Sequence, residues 1–417
     1  MKPRSITGQF ARPLSTVRNA LLAGVIASAL AGCGGGGGPA TGTVSASLTD
    51  APACGYDHVF VTVAKVGINS NLDGSGAWND ITLATPKKID LLNLTNGALE
   101  SLGQTALPAG TYQQLRLVLT PNVNGAATFN NSVVPTGQTA EVELKTPSAA
   151  QSGIKVNTRA PFTVQPGTLV DLVLDFNACK SIVTTGRSKG GSTNSASGYL
   201  LKPVVTAVTE VVSGAIDGYV DTADATTTTN GVTTPGAMVF AEQNGVVIRA
   251  TVADSTGHFV LSPLEQSSGA GNYDVVIANT GKATDIVTGV TVTAKTTTTL
   301  SSAASPFTLL ASTTGTVSGT VNPAANASLD ALQTINGLNY VITDTNADSS
   351  TGGYSFTLAV APPQIGPFTT PPITLAPVAA AAGKYTISAT SATGSTSSSP
   401  ATVTSGGTTT VDFATLQ

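Results

Sequence analysis

Apolar and polar residues alternate along much of the chain. In "TVSASLT", Val44, Ala46 and Leu48 share one face, and "DHVFVTVAKVGI" repeats the pattern from Val59 to Val63. A period of two is typical of β-strands with one buried face. The pattern predicts strands in both segments.

Similar segments recur through the first half of the chain, separated by Gly, Pro and Asn turns. "TYQQLRLVLT" and "TLVDLVLDF" show the pattern most clearly, and "NGALESLG" is predicted to form one helical turn. Short strands at this spacing predict a two-sheet sandwich. The further strands are expected near 78–84, 87–92, 111–120, 139–145, 154–158, 161–165, 168–176 and 199–211.

The second half contains two similar units. "SGAIDGYV" is similar to "TGTVSGTV", "DSTGHFVLSPL" to "DSSTGGYSFTL", "GNYDVVIA" to "GKYTISAT", and "TVTAKTTTTL" to "TVTSGGTTTV", all in the same order. Such self-similarity predicts two copies of one β domain. The second copy contains an insertion, "APPQIGPFTTPPITLAPVAAAA", whose prolines are expected to exclude a central strand.

Composition agrees with an all-β protein. Only 10% of the residues are charged, compared with about 25% in an average globular protein. Residues 1–32 hold four of the 19 Lys and Arg residues and no acid, so the remainder is mildly acidic. Because no basic cluster is present, nucleic acid is not an expected partner.

The N-terminus resembles a bacterial lipoprotein signal. A basic segment precedes an apolar run from Ala20 to Ala31, which is too short to span a bilayer. "LAGC" (30–33) resembles a lipobox, which implies lipidation of Cys33 and anchoring of the mature chain. Gly34–Gly38 would then be a flexible tether, and Gly34, in place of the Asp that retains lipoproteins at the inner membrane, favours the outer membrane.

Two cysteines remain after lipidation. Cys54 and Cys179 form an even pair for an oxidising compartment, so a disulfide between them is predicted. The alternative is two unrelated buried thiols.

Most of residues 43–212 resembles a family of bacterial and archaeal lipoprotein domains classed only as of unknown function. The resemblance is carried by "SLTDAPACGYDHVFVTVAKV", "IDLLNLTNGALESLGQTALPAGTYQQLRLVL", "VDLVLDF" and "YLLKPVV". It implies a surface setting and no particular activity. Asp50 in "LTDAP" has either a functional role or that of an Asx turn before Pro52.

The two repeated units resemble the carboxypeptidase regulatory-like, transthyretin-like sandwich. The first copy carries its Gly-x-Val-type opening strand, D-x-x-G turn, aromatic strand and G-x-Tyr start at Gly218, Asp254, Gly257, Phe259, Gly271 and Tyr273. The expected fold class is therefore all-β, with three tandem β-sandwich (Ig-like or transthyretin-like) domains arranged as beads. The expected segments are a signal peptide (1–32), a lipidated Cys and tether (33–42), and domains at 43–212, 213–305 and 306–417.

Few residues suggest chemistry. His58 and His258 fall on different predicted domains, and neither has sequence partners for a Ser-His-Asp or zinc site, so exposed surface positions are expected. Trp78 could stack on a sugar, but a role as a core plug or cross-strand partner is favoured. No catalytic residue and no cofactor are predicted.

Calcium binding is a weak alternative for two loops. Asp344, Asn346 and Asp348 occupy positions one, three and five of a loop that lacks the later Gly and Glu. A second loop has Asn71, Asp73, Ser75 and Gly76 but also lacks the Glu. Ordinary hairpin turns explain both loops, so no metal site is predicted.

These patterns predict a non-enzymatic, lipid-anchored envelope protein, facing either the periplasm or the exterior, with a structural, adhesive or interaction role. Its expected partners are the membrane and a protein or glycan at the surface. The alternative is a carbohydrate-binding lipoprotein, and an enzyme is the third possibility.

Overall fold

The computed structural model of this chain describes residues 40–51, 55–147, 149, 152–158, 161–186, 198–210, 213–229, 232–324, 327–391 and 393–416. Ala40–Gln417 form one compact unit. Nearly all of its regular structure is β-strand, which confirms the predicted all-β class. Among the described residues, no helix has the length and apolar character needed to cross a membrane.

The first segment, 41–209, is built mainly from one large sheet with a single apolar core that includes Val61, Leu117 and Phe176. Its strands are β1 (Thr41–Ala51), β2 (Tyr56–Asn69), β3 (Asn79–Asp90), β4 (Glu100–Pro108), β5 (Gly110–Tyr112), β6 (Gln114–Leu119), β7 (Ser132–Pro135), β8 (Val142–Lys145), β9 (Ile154–Thr158), β10 (Phe162–Val164), β11 (Leu169–Asn177), β12 (Ile182–Thr185), β13 (Gly198–Leu201) and β14 (Val205–Thr209). The short helix α1 (Ala178–Ser181) joins β11 to β12.

Hydrogen bonds connect these strands in the order β12-β13-β8-β7-β2-β6-β9-β14-β11-β1-β4, with β3 beside β2 and β5 paired with β10. The two sheets expected for a sandwich are thus continuous through β9, which pairs with β6 on one side and β14 on the other. β1 lies parallel to β11 over nine residue pairs, from Thr43–Leu169 to Ala51–Asn177.

The predicted helical turn in "NGALESLG" is wrong. The turn of helix in this region is a 3₁₀ turn at Leu91–Leu94, where the Asp90 side chain accepts a hydrogen bond from the Leu92 amide. Asn96 (φ 55°) and Gly97 (φ 74°) adopt left-handed backbone angles that end the turn. β4 then begins at Glu100.

The second segment contains β15 (Ser213–Tyr219), α2 (Thr222–Ala225), β16 (Thr226–Thr229), β17 (Val232–Pro235), β18 (Met238–Gln243), β19 (Val246–Val252), β20 (His258–Glu265), α3 (Ser267–Ala270), β21 (Tyr273–Ala278), β22 (Asp285–Val290) and β23 (Thr297–Thr299). The third contains β24 (Thr314–Thr320), β25 (Ser328–Ile335), β26 (Leu338–Asn346), β27 (Gly353–Ala359), β28 (Gln364–Pro367), β29 (Ala376–Pro377), a 3₁₀ turn (Ala379–Ala381), β30 (Lys384–Thr390), β31 (Thr396–Thr402) and β32 (Thr408–Thr410).

The two later segments share a strand arrangement. β15 lies between antiparallel β20 and parallel β23, and β24 lies in the same way between β27 and β32. The larger remaining sheets are β19-β18-β21-β22-β28-β29 and β26-β25-β30-β31, and each begins with two strands that are consecutive in the chain. β16 pairs separately with β17. This arrangement is the one that two copies of a single domain would show.

The proline-rich insertion is predicted to contain no central strand, and this prediction is wrong. β28 pairs with β22 on one side and with β29 on the other. It is therefore an interior strand, and it adds to the sheet of the second segment. Pro367 is the last residue of β28, opposite Thr288, where its lack of an N–H interrupts little of the pairing. β29, which contains Pro377, is the edge strand.

The sheet β18-β21-β22 separates two apolar cores. Phe240, Val276 and Ile286 pack into the core of the third segment. Their neighbours Val239, Ala241, Val275, Ile277 and Val287 pack into the core of the second segment. The later domains are therefore not separate beads, because both faces of one sheet are buried between them.

Phe240→Ala should destabilise the second and third segments together, because the side chain is 2% exposed and lies in the shared sheet. A large-to-small change in a core costs about 3–5 kcal/mol. Chemical denaturation monitored by circular dichroism measures the loss. Val246→Ala, at a side chain that is 60% exposed, is the matched control and should leave the midpoint unchanged.

Candidate functional site

Charged and amide side chains are buried or partly buried where the three segments meet. We call this set the interdomain junction, and it consists of Asp175, Lys180, Arg249, Asp330, Asp344 and Asn346. Buried charges are costly unless they are paired, so each contact within the set constrains how the segments fit together.

Arg249 joins the second segment to the first. It lies on β19 and is 3% exposed, and its Nη1 is 2.6 Å from Oδ1 of Asp175 on β11. Nη2 donates to the carbonyl of Pro263 at 3.2 Å. The ion pair is desolvated on both sides, so its loss would leave a charge buried without its partner.

Lys180 joins the first segment to the third. Its Nζ lies 3.0 Å from Oδ1 of Asp330 and 3.4 Å from Oδ2 of Asp344. Burial opposes the charge on the lysine, but the two carboxylates outweigh that effect and raise the pKa of Lys180 above its ordinary value. The lysine is therefore charged across the physiological range.

Asn346 donates hydrogen bonds to carbonyl groups at the C-terminal end of α1. Its Nδ2 donates to the carbonyls of Cys179, Lys180 and Ile182 at 3.2, 3.0 and 3.1 Å. These are carbonyl groups at a helix C-terminus, which lack partners within the helix. An amide from the third segment thus completes a helix of the first.

The calcium alternative gains no support from this loop. Asp344 faces Lys180, Asn346 binds α1, and Oδ1 of Asp348 accepts from the amides of Ser350 and Thr351. In the ranges that the structure describes, no cluster of three or more His, Cys, Asp or Glu could hold a metal ion.

The other candidate calcium loop has the geometry of a turn. The Ser75 amide donates to Oδ1 of Asp73 at 2.9 Å, and Nδ2 of Asn71 donates to the Ser75 carbonyl at 2.9 Å. Gly74 and Gly76 have φ of 74° and 82°, which the turn requires.

Asn96 forms a second contact between the first two segments. Its Oδ1 accepts from the Thr251 hydroxyl at 3.0 Å and the Val260 amide at 3.1 Å, and its Nδ2 donates to the His258 carbonyl at 3.1 Å. A Cβ at Gly97 would lie 3.3 Å from Val260. The "NG" turn of the first segment therefore fits closely against β19 and β20.

Glu242 is buried between the second and third segments. It is 1% exposed, and its carboxyl accepts from the Val341 amide of β26 at 3.0 Å. Burial raises the pKa of Glu242 to about 8, and the nearby Asp274 and Asp330 act in the same direction, against the Val341 hydrogen bond and Lys180. At neutral pH the folded protein holds this carboxyl largely protonated.

Asp50 of "LTDAP" lies at the end of β1 and is 2% exposed. Its Oδ1 accepts from the Ala178 amide of α1 at 3.0 Å. Because Ala178 is 128 residues away, this is a long-range contact. The Asx turn before Pro52 stays a prediction, because residues 52–54 lie outside the described residues. Asp50 fixes the start of α1, the helix that carries Cys179 and Lys180.

The proposed Cys54–Cys179 disulfide stays a prediction, because Cys54 lies outside the described residues. Cys179 itself lies in α1, directly after β11. Ala51 is paired with Asn177 at the ends of β1 and β11, so Cys54 follows by three residues and Cys179 by two. Cys33 and the rest of the predicted signal and tether also lie outside the described residues.

Both histidines have carboxylate partners. Nδ1 of His58 lies 2.6 Å from Asp90, with half of the side chain exposed, and the ring stacks on Phe60. Nε2 of His258 lies 3.8 Å from Asp217. Within the described ranges, neither ring is hydrogen-bonded to a serine, threonine or cysteine side chain.

Trp78 is covered by a cross-strand neighbour. The guanidinium of Arg116 lies 3.8 Å from the centre of its ring. A Cβ at Gly67 would approach both side chains to 2.9 Å, so this glycine makes room for them. The geometry matches the cross-strand role, because Arg116 occupies one ring face that a sugar would need.

A cleft of about 430 Å³ lies between the first and second segments, lined in part by Leu99, Val173, Glu210 and Lys295. None of the described residues that line it is aromatic. Sugar sites commonly use aromatic faces for stacking, and this cleft offers none.

The most informative unpredicted residues are Arg249, Lys180 and Glu242. A sequence signal existed for the shared sheet: "MVFA" and "VVIA" are continuous apolar runs, which are typical of strands buried on both faces. The partners of Arg249 and Lys180 lie far away in sequence, so no local pattern identifies them.

Comparison with known proteins supports one of the sequence resemblances. Residues 41–203 match the model of a family described as a domain of unknown function, DUF4382. This confirms the predicted resemblance of the first domain; the lipobox and carboxypeptidase regulatory-like resemblances stay predictions. No curated protein matches the chain.

Several solved structures are similar to parts of the chain at low TM-scores. A cohesin–X-dockerin complex from Acetivibrio cellulolyticus is 22% identical over 24% of this chain and 58% of its own, with a TM-score of 0.19. A streptococcal ancillary pilin is 8% identical over 89% of this chain and 99% of its own, with a TM-score of 0.15. A Ca²⁺-stabilised, ice-binding adhesin from an Antarctic bacterium is 12% identical over 89% of this chain and all of its own (100%), with a TM-score of 0.12. TM-scores this low do not indicate a shared overall arrangement.

Glu242→Gln should change how stability depends on pH. The unfolded chain loses this proton near the ordinary value of 4.5, whereas the folded protein keeps it to about pH 8. Stability therefore falls as pH rises between these values, by at most about 1.4 kcal/mol per pH unit from this group. Gln keeps a hydrogen-bond acceptor for Val341 and removes this loss.

Urea denaturation at pH 5 and pH 7.5 measures the effect, and the stability of Glu242→Gln relative to wild type should increase at the higher pH. Glu210→Gln, at an exposed carboxylate, is the control and should show no such increase. A constant difference between Glu242→Gln and wild type would contradict the buried protonated carboxyl.

Proposed function

We propose that this chain is a lipid-anchored cell-envelope protein whose compact body, Ala40–Gln417, serves as a rigid, non-enzymatic structural or adhesive module. The observation that carries the proposal is the sheet β18-β21-β22, with its two buried faces. An extended protein that holds a surface away from a membrane needs its domains fixed relative to one another, and this sheet fixes two of them.

Polar contacts hold the first segment rigidly against the other two, which supports its place in the same rigid module. Arg249–Asp175 and the Asn96 turn fix it to the second segment, and Lys180 and Asn346 fix it to the third. These side chains, which elsewhere could serve catalysis, bind other parts of the same chain. The body therefore uses its buried charges for rigidity.

The membrane part of the proposal rests on residues 1–40. A basic segment, a short apolar run, the lipobox-like "LAGC" and five glycines are in the order expected for a lipoprotein signal and tether. Gly34 after Cys33 favours the outer membrane as the location. Arg116 covers one face of the Trp78 ring, which weighs against sugar stacking at this residue.

Replacement of Cys33 by Ser tests the anchor in the full chain expressed in a Gram-negative host. The wild-type protein should sediment with the outer membrane, resist extraction by high salt and dissolve in detergent, because two or more acyl chains anchor it stably. The Cys33→Ser protein should lose the acyl mass and leave the outer-membrane fraction.

Gly36→Ser is the control, because it introduces the same side chain into the tether without touching the lipobox, and the protein should remain in the outer-membrane fraction. Wild-type protein without acyl mass would refute the anchor. Proteolysis of intact cells then distinguishes an exterior from a periplasmic location.

A further inference from the structure

Lys282 and Asp224 are in contact at one end of the second core, and a second acidic residue, Asp285, follows Lys282 by three positions. Asp224 lies in α2 and is 1% exposed. Lys282 lies in the turn between β21 and β22, and its Nζ is in contact with Oδ1 of Asp224. Asp285, at the start of β22, is 4% exposed and interacts electrostatically with Asp224.

The Asp224 carboxyl is held in a fixed orientation. Its Oδ2 accepts from the Leu309 amide at 3.0 Å, and its main-chain carbonyl accepts from Nδ2 of Asn279 at 3.0 Å. Oδ1 is thereby directed towards Lys282. The Leu309 amide also stands where it would stabilise negative charge on Oδ2.

Asp285 has an unused polar atom. Its buried Oδ1 has no hydrogen-bond partner among the described residues. Burial raises the pKa of Asp285 to about 7, with Asp224 acting in the same direction. A carboxyl that titrates near neutrality is suited to accept and return a proton.

The cluster of Lys282, Asp224 and Asp285 differs from the ion pair at Lys180. Lys180 sits between two carboxylates that keep it charged, and Asn346 and α1 account for its surroundings. At Lys282, one carboxyl contacts the amine, while the second has an oxygen without a hydrogen-bond partner in the part of the chain that the structure describes. A simple buried ion pair leaves Asp285 unexplained.

We propose that Lys282 and Asp224 condense to an intramolecular side-chain amide, with Asp285 as the proton carrier. The Nζ of Lys282, after passing a proton to Asp285, attacks Cγ of Asp224 and forms the N–C bond. Asp285 returns that proton to the departing oxygen and then carries a second proton from the newly bonded nitrogen to the same oxygen, so the C–O bond breaks and the oxygen leaves as water. An ammonium and a carboxylate become an amide and water, so no oxidant or other reactant is needed.

The link would tie α2 to the turn before β22, next to the chain segment that leads to the third domain. Leu309 and Lys282 are already in contact there through the Leu309 carbonyl. A covalent tie at this position would prevent the second core from opening when the chain is pulled. This inference does not depend on lipid anchoring.

Peptide mapping of the purified full chain tests the proposal. Trypsin should release residues 190–249 and 250–295 as one linked species, because an amide at Lys282 prevents cleavage there and Lys202 precedes proline. Its mass should equal the sum of the two peptides less one water molecule. Fragmentation should place the link at Asp224 and Lys282. Separate peptides with cleavage at Lys282 would overturn the proposal and leave a buried ion pair only.

Two variants test the amide link and the proton-carrying role of Asp285 independently. Lys282→Arg keeps the positive charge but should abolish the linked species. Asp285→Asn is nearly isosteric and should also yield separate peptides while the far-ultraviolet spectrum remains that of wild type. Asp274→Asn, an acidic residue on the neighbouring β21, is the control and should retain the link. A full yield of linked peptide in Asp285→Asn would overturn the role of Asp285.

Discussion

Burial of both faces of the β18-β21-β22 sheet is the constraint on which the rest of the body depends. Side chains that alternate along these strands enter two different cores, with Phe240 on one side and Val239 on the other. Burial of apolar area contributes about 25 cal/mol per Å². Removal of either core would therefore expose a full apolar sheet face to water. The two later domains stabilise each other for this reason.

Polar contacts then determine the position of the first segment. Apolar packing is nondirectional, whereas the Arg249–Asp175 pair and the three bonds from Asn346 require particular distances and angles. Breaking a buried pair by removing one partner typically costs about 3–5 kcal/mol. A shifted arrangement of the segments would incur such losses at several places at once, which favours one relative position.

Much of the fold follows from local pattern. The period of two in "TVSASLT" and "TYQQLRLVLT" predicts β1 and β6, and the similarity of "SGAIDGYV" and "TGTVSGTV" predicts the matching positions of β15 and β24. These features depend on residues close together in sequence, or on repetition, and both are visible in the chain itself.

The junction could not be predicted in this way. Asn346 and its α1 carbonyl partners are separated by 164 to 167 residues, and spacing alone made its loop resemble a cation site. Asn96 similarly belongs to a turn whose partners lie on β19 and β20. Differential scanning calorimetry of the full chain tests whether the shared sheet makes the body unfold as one unit. The body should show one cooperative transition, with equal calorimetric and van't Hoff enthalpies. Separate transitions for the second and third domains would contradict it.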